Sequence, residues 1–157
     1  MKVVKIILPP LEISSDERIR LLKSYSENLE SADEEWLRDI YLFLLKWLDD
    51  SDSIETKTSG STSEPKNISI KKSVFLFSAK QTSDYFQFKK NEKWLLCLPA
   101  NFIGGKMMIV RAILNQAELF AVEPKIDLSF LKEDFDFAAM IPLQVEKYLS
   151  SDFKIKK

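Results

Sequence analysis

The order of hydrophobic patterns from residue 90 onward limits the possible folds more than any other feature. The stretch "KWLLCLP" is a continuous apolar run stopped by Pro99, the pattern of a strand covered on both faces. From Gly105, "KMMIVRAILNQ" is apolar nearly all round and predicts a buried helix. "AELFAVEP" predicts a strand ended by Pro124, "DFDFAAMIP" another, and "LQVEKYLSS" a closing helix. Strands and helices in that order imply α/β architecture, a layered parallel sheet with flanking helices.

Upstream the patterns are helical first. "SSDERIRLLKSYSENL" offers Ser14, Ser15 and Asp16 as N-caps and sets Ile19, Leu22 and Ser26 along one stripe. "SADEEWLRDIYLFLLKWLDD" opens with the capping-box pair Ser31 and Glu34 and repeats apolar residues at helical spacing, which reads as core rather than a ligand stack. Alternation around Ile54, Thr56, Ile68 and Ile70 predicts two short strands joined by "TSGSTSEPK". "KKSVFLFSAKQTSDYFQF" then reads as a helix with Val74, Phe77, Ser78, Gln81 and Tyr85 on one stripe.

Composition removes several function classes. With 157 residues and 45% apolar content the chain is sized for one core. A net charge of −1, with no basic segment beyond the tail "FKIKK", leaves no electrostatic footprint for nucleic acid. The start "MKVVKIILPP" is too short and too broken for a signal peptide or a membrane span, which predicts a cytoplasmic protein. Histidine is absent, so imidazole-based nucleophilic chemistry and zinc ligation are absent with it. The one cysteine, Cys97, sits in an apolar run as a small buried hydrophobe.

Three glycines, Gly60, Gly104 and Gly105, mark the two places where positive φ or close backbone approach would be accommodated. Around Gly60, "TSGSTSEPK" holds five hydroxyl side chains and ends on a lysine. A solvent-exposed linker has such a composition, and so does a loop that wraps phosphate: Gly60 supplies the turn, Ser59, Ser61, Thr62 and Ser63 the donors, Lys66 the charge. It is not a Walker A loop, since no glycine precedes the lysine and no Ser or Thr follows it.

The nonapeptide, Thr58 to Lys66, resembles the phosphate-binding signature of the acyl-adenylate-forming (AMP-binding) superfamily, Thr-Ser-Gly-Ser/Thr-Thr-Gly-x-Pro-Lys, with eight of nine positions in agreement. "LCLPANFIGGKMMIVRAI" looks like that family's next motif, and "FAAMIPLQV" like the strand and helix that follow. Over about residues 35 to 150 the chain is most similar to the o-succinylbenzoate–CoA ligases of menaquinone biosynthesis, of the Bacteroidetes type.

The resemblance implies ATP-dependent activation of a carboxylic acid with Mg2+, followed by transfer of the acyl group to coenzyme A. Thr58, Ser59, Gly60, Ser61, Thr62, Ser63 and Lys66 would hold the ATP phosphates, and Phe102, Gly104, Gly105 and Arg111 would border the acid pocket. Ser63 stands where the family has glycine, at about 1 kcal/mol of strain if that position needs positive φ. No glycine follows Gly105, so the family's Tyr-Gly-x-Thr-Glu and Thr-Gly-Asp motifs are not in this chain, and neither a complete catalytic set nor a metal ligand is assigned.

The expected organisation is a single, partial N-terminal AMP-binding domain over residues 1–157, with a helical lead-in at about 14–50 and the phosphate loop and α/β part at about 53–150. Apolar faces left open in such a piece predict self-association. A noncatalytic nucleotide-binding or protein-interaction module that keeps only the fold is the alternative. Singly, Arg111 in its apolar helix calls for a carboxylate or carbonyl partner, Lys106 for a place at the helix start facing solvent, and Gln144 for a site, capping or surface role.

Overall fold

The computed structural model describes residues 2–57 and 67–157. A four-stranded sheet in the order β1-β5-β4-β6 forms the centre, from β1 (Val4–Ile6), β4 (Lys93–Leu96), β5 (Glu118–Ala121) and β6 (Phe137–Ala138). β4 pairs in parallel with β5 and β6, as the alternating pattern predicts, and the crossover from β4 to β5 runs through helix α4 (Ile103–Asn115). β1 was not foreseen: the "VKI" of the opening run pairs antiparallel with β5, so the sheet is mixed. Three residues are too few for a periodicity to declare itself, and only the open edge of β5 makes them a strand.

Both sheet faces are covered, which accounts for the unbroken apolar reading of β4. Trp94 and Leu96 face the larger core with Leu119, Ala121 and much of α4, whereas Leu95 and Cys97 face a smaller one with Leu128, Leu131, Phe135 and Phe153. Burial pushes the Cys97 thiol up to about 12, so it stays protonated and behaves as the small hydrophobe expected of it. The larger face carries α1 (Ser15–Ser31), α2 (Glu35–Leu48) and α3 (Lys72–Phe86) besides α4; α5 (Pro142–Tyr148) contributes Tyr148 to the smaller.

Two helix stripes turn out differently. In α1, Ile19 is 65% exposed and Ser26 is exposed, while Tyr25 is buried with its hydroxyl donating to the Ile7 carbonyl. In α3, Val74, Phe77 and Tyr85 face outward, and the buried residues are Phe75 and Ala79. Aromatic residues occur on both faces of α3, so periodicity alone cannot select one. Contacts select it: Ala79 lets α3 approach α4 closely, and Asn115 donates to the Ser83 hydroxyl at 2.7 Å. The capping box also fails, because Ser31 is the last residue of α1, its hydroxyl donating to the Asn28 carbonyl, and α2 starts after Glu34 without a side-chain cap. Ser14 caps α1 as expected, accepting from the Glu17 amide.

Beyond α2, Asp49 ties three elements together. Its carboxylate accepts from Lys46 at 2.7 Å, from Lys72 at the start of α3 at 3.1 Å and from the Ser51 amide at 3.0 Å. Burial pushes this carboxyl up, but the hydrogen bonds from Lys46, Ser51 and Lys72 outweigh it and hold the group well below the usual carboxylate range. The ionised form therefore stabilises the fold fully above about pH 4, and that stability drains away as pH falls through the folded-state value. Because the side chain is 35% exposed, solvent screening limits the effect. Asp49→Asn should cost about 1 kcal/mol at pH 7, and the thermal midpoints of variant and wild type should begin to converge only below about pH 4, where the unfolded chain's carboxyl takes up its proton; a gap unchanged between about pH 5 and pH 2 would contradict the account.

Candidate functional site

Strands β2 (Ser53–Lys57) and β3 (Asn67–Lys71) form the expected antiparallel hairpin, in register from Ser53↔Lys71 to Lys57↔Asn67. The stretch between them carries Thr58, Ser59, Gly60, Ser61, Thr62, Ser63 and Lys66 and lies outside the described residues. The stem on either side of it is described. Ile54 and Thr56 point inward, 1% and 3% exposed, because alternation along β2 turns every second side chain toward the core.

The stem abuts the second glycine-bearing stretch. Lys57 pairs with Phe102 in an isolated parallel bridge, and Phe102 is the residue before α4. Lys106, in the first turn and a half of that helix, is 8% exposed; its ammonium donates to the Thr56 hydroxyl at 3.2 Å and to the Asn101 carbonyl at 2.9 Å. The expectation that Lys106 faces solvent is thus wrong. It is buried at the helix start, where its two hydrogen bonds tie it to the hairpin and to the turn before α4. Burial lowers its pKa, which the Asp39 carboxylate on α2 partly offsets. Asp39 is raised in turn by burial and by Glu35, against the pull of Lys106 and Lys57.

Gly104 and Gly105 earn their place through close approach, not through backbone freedom. A Cβ on Gly105 would collide with the carbonyl group of Pro99 and lie 2.9 Å from the Ala100 Cα, so the first turn of α4 can cross the Pro99–Ala100 corner only without a side chain there. At Gly104 the nearest atom would be the flexible Leu98 Cδ1, at 3.3 Å. Among the described residues, positive φ occurs instead at Gln87, Asn91 and Gln116; Gln87 and Gln116 end α3 and α4 as left-handed caps.

A cleft of about 800 Å³ opens between α2 and the hairpin, with Leu42, Phe43 and Ile54 on its apolar side and Asp39, Asn101 and Lys106 on its polar side. Arg111 does not reach it. Its guanidinium Nε donates to the Thr82 hydroxyl of α3 at 3.2 Å, and burial lowers its pKa. The expected carboxylate or carbonyl partner is therefore replaced by a hydroxyl, made available when α3 packs its Ala79 face on α4. Gln144 is a buried structural group: it accepts from the Ile141 amide and donates to the carbonyls of Cys97 and Lys125.

Four of the groups around the cleft, Asp39, Thr56, Asn101 and Lys106, were not singled out from sequence as site residues. Lys106 had a legible signal, a cation beside a glycine pair at the head of an apolar helix. The others had none. Among the described residues no group of three or more His, Cys, Asp or Glu could hold a metal ion, and no helix is long and apolar enough to cross a membrane.

No family model matches the chain. Among curated proteins it is similar to the 2-succinylbenzoate–CoA ligase of Haemophilus influenzae, 31% identical over 94 residues, which make up 60% of this chain and 20% of that protein. Among solved structures it superposes on the acyl-CoA synthetase (AMP-forming)/AMP-acid ligase II-like protein of Dyadobacter fermentans with a TM-score of 0.70 and 33% identity. The chain is similar to the AMP-forming acid–CoA ligases. The superposition covers 75% of this chain and 34% of the Dyadobacter one, so the chain spans about a fifth to a third of the length of these ligase relatives. An E. coli MenE variant with bound OSB-AMS aligns at a TM-score of 0.50 and 23% identity, covering 63% of this chain and 23% of that one, and shares the ligase-type fold alone.

Proposed function

We propose that this chain supplies the ATP phosphate-binding loop and part of the acid pocket of an ATP-dependent acid–CoA ligase acting on 2-succinylbenzoate or a related acid, in the cytoplasm and in menaquinone biosynthesis. The observation that carries the reading is the meeting of two stretches: the stem of the hydroxyl-rich loop and the Phe102–Gly105 segment are joined by the Lys57–Phe102 bridge and the Lys106 hydrogen bonds. These are the stretches that resemble consecutive motifs of the superfamily, and a nucleotide and an acid must be brought together for acyl-adenylate chemistry.

In the ligase reaction the acid's carboxylate displaces pyrophosphate from ATP and the acyl group then passes to coenzyme A. This chain's share is to bind and orient. The donor set of residues 58–66, five hydroxyls and one ammonium, fits phosphate oxygens, with the Ser59 to Ser63 hydroxyls and the Gly60 amide as donors and Lys66 as the charge. Glu64, at the family's variable position, would repel a polyphosphate and contributes nothing to its binding in this reading. Phe102, Gly104, Gly105 and Arg111 are proposed for the acid side; Arg111 would act from the α3–α4 seam, outside the cleft.

Titration with ATP and Mg2+ tests the loop. Removing a charge-assisted hydrogen bond costs about 1.5–3 kcal/mol, roughly tenfold or more in affinity. Lys66→Ala should therefore bind MgATP at least about tenfold more weakly than wild type by calorimetry. Equal and negligible binding by both would remove the assignment.

A further inference from the structure

We propose that Lys106 is a positioning residue that sets the stem of the phosphate loop against the acid-side segment, acting as a two-way clamp between β2 and the Asn101 turn. The inference rests on the ligase reading for its functional meaning, and on geometry for the clamp itself. Lys106 Nζ holds Thr56, two residues before the loop begins, and Asn101, one residue before Phe102. It therefore ties the strand leading into one motif to the start of the next with a single charged group.

Stability does not explain a cation in this place. A lysine ammonium has three donors, and the two partners it has here are neutral oxygens. Among the described residues it makes no ion pair; Asp39 influences it through space only. A buried charge without a bonded counter-charge is a net cost to folding, and replacing such groups by apolar ones of similar size is often neutral or stabilising. The compensation is directional: two hydrogen bonds from one terminal atom fix the separation of two backbone segments, which an apolar side chain of the same length leaves free to slide. Among the described residues the Lys57–Phe102 bridge is the one backbone pairing between β2 and the segment before α4, so the side-chain clamp supplies a second point of attachment that stops the stem from pivoting.

The test uses this chain with three substitutions, Lys106→Met, Thr56→Val and Thr56→Ser. Lys106→Met and Thr56→Val should each speed amide hydrogen exchange in β2 and β3 about tenfold and weaken MgATP binding about five- to tenfold. The urea midpoint of global unfolding should not fall in Lys106→Met, since the central sheet and α4 core do not use the ammonium. The double variant should be no worse than either single one, and Thr56→Ser should recover most of what Thr56→Val loses. Wild-type exchange in both single variants overturns the clamp, as does a loss of ATP affinity that tracks a loss of global stability. Should Lys106→Met fail to fold, the Thr56→Val and Thr56→Ser pair decides alone. Should wild type bind no MgATP, the loop reading fails, and the exchange rates in β2 and β3 still uphold or overturn the clamp.

Discussion

Gly105→Ala should lower the stability of the chain by about 3 kcal/mol, the upper end of what overpacking costs. On propensity alone the change would help, since alanine in a helix interior is worth about 1 kcal/mol over glycine. The clash overrides it, because the added methyl would meet the Pro99 carbonyl group and the Ala100 Cα, both backbone, and neither can swing away as a side-chain tip could. Either α4 lifts from the Pro99–Ala100 corner or the corner itself shifts, and both uncouple α4 from β4, one of the two middle strands of the sheet. The neighbouring position makes the control. Gly104→Ala meets only Leu98 Cδ1 at 3.3 Å, so it should change stability by less than about 1 kcal/mol in either direction. Urea unfolding of the two variants side by side checks the pair; equal midpoints would show that close approach is not why glycine stands at 105.

Trp94→Ala is expected to be at least as damaging, about 3–5 kcal/mol. Trp94 is fully buried in β4, with ring centroids of Phe88 at 4.4 Å and Phe137 at 4.8 Å, and its indole N–H donates to Glu92 at 3.2 Å. Removing it leaves a cavity walled by aromatic rings that are themselves stacked, Phe86 on Phe88 at 5.3 Å, so the surroundings cannot collapse inward cheaply. For a domain whose total stability is about 5–15 kcal/mol, that is about a fifth of it or more. Trp94→Phe keeps most of the volume and should recover about half the loss. Denaturation followed by far-ultraviolet circular dichroism separates the three proteins; a Trp94→Ala midpoint within error of wild type would mean that this aromatic cluster does not hold β4 to β6.

The same two residues show how far sequence reading reaches. Trp94 belongs to a run apolar without interruption, and such a run has one economical explanation, a strand covered on both faces, which the two cores on either side of β4 bear out. Gly105 was legible as a place of special backbone need, though not which need; only the distance to Pro99 distinguishes close approach from a left-handed turn. The hairpin around residues 58–66 was likewise legible, since alternation at Ile54, Thr56, Ile68 and Ile70 fixes which side chains share a face.

The helix faces were less so. Val74, Phe77 and Tyr85 form as regular a stripe as Phe75 and Ala79, and the choice between them depends on α4, whose Asn115 and Arg111 bond to Ser83 and Thr82. Ser31 and Glu34 have capping-box spacing, yet α1 runs on through Ser31, and a residue inside one helix cannot cap the next.

The amino-acid order alone determined the alternating strands and helices, the parallel centre of the sheet, the paired strands around the hydroxyl-rich loop and the likeness to acid–CoA ligases, because each is written in local periodicity or in a contiguous motif. Tertiary structure alone decided that β1 closes one edge of the sheet, that Arg111 turns to Thr82, and that Lys106 is buried between Thr56 and Asn101. Apart from Asn101, the partners in those outcomes lie about 30 to 120 residues away, and burial and hydrogen bonding at such separations are set by how faces pack, which no short window of sequence contains.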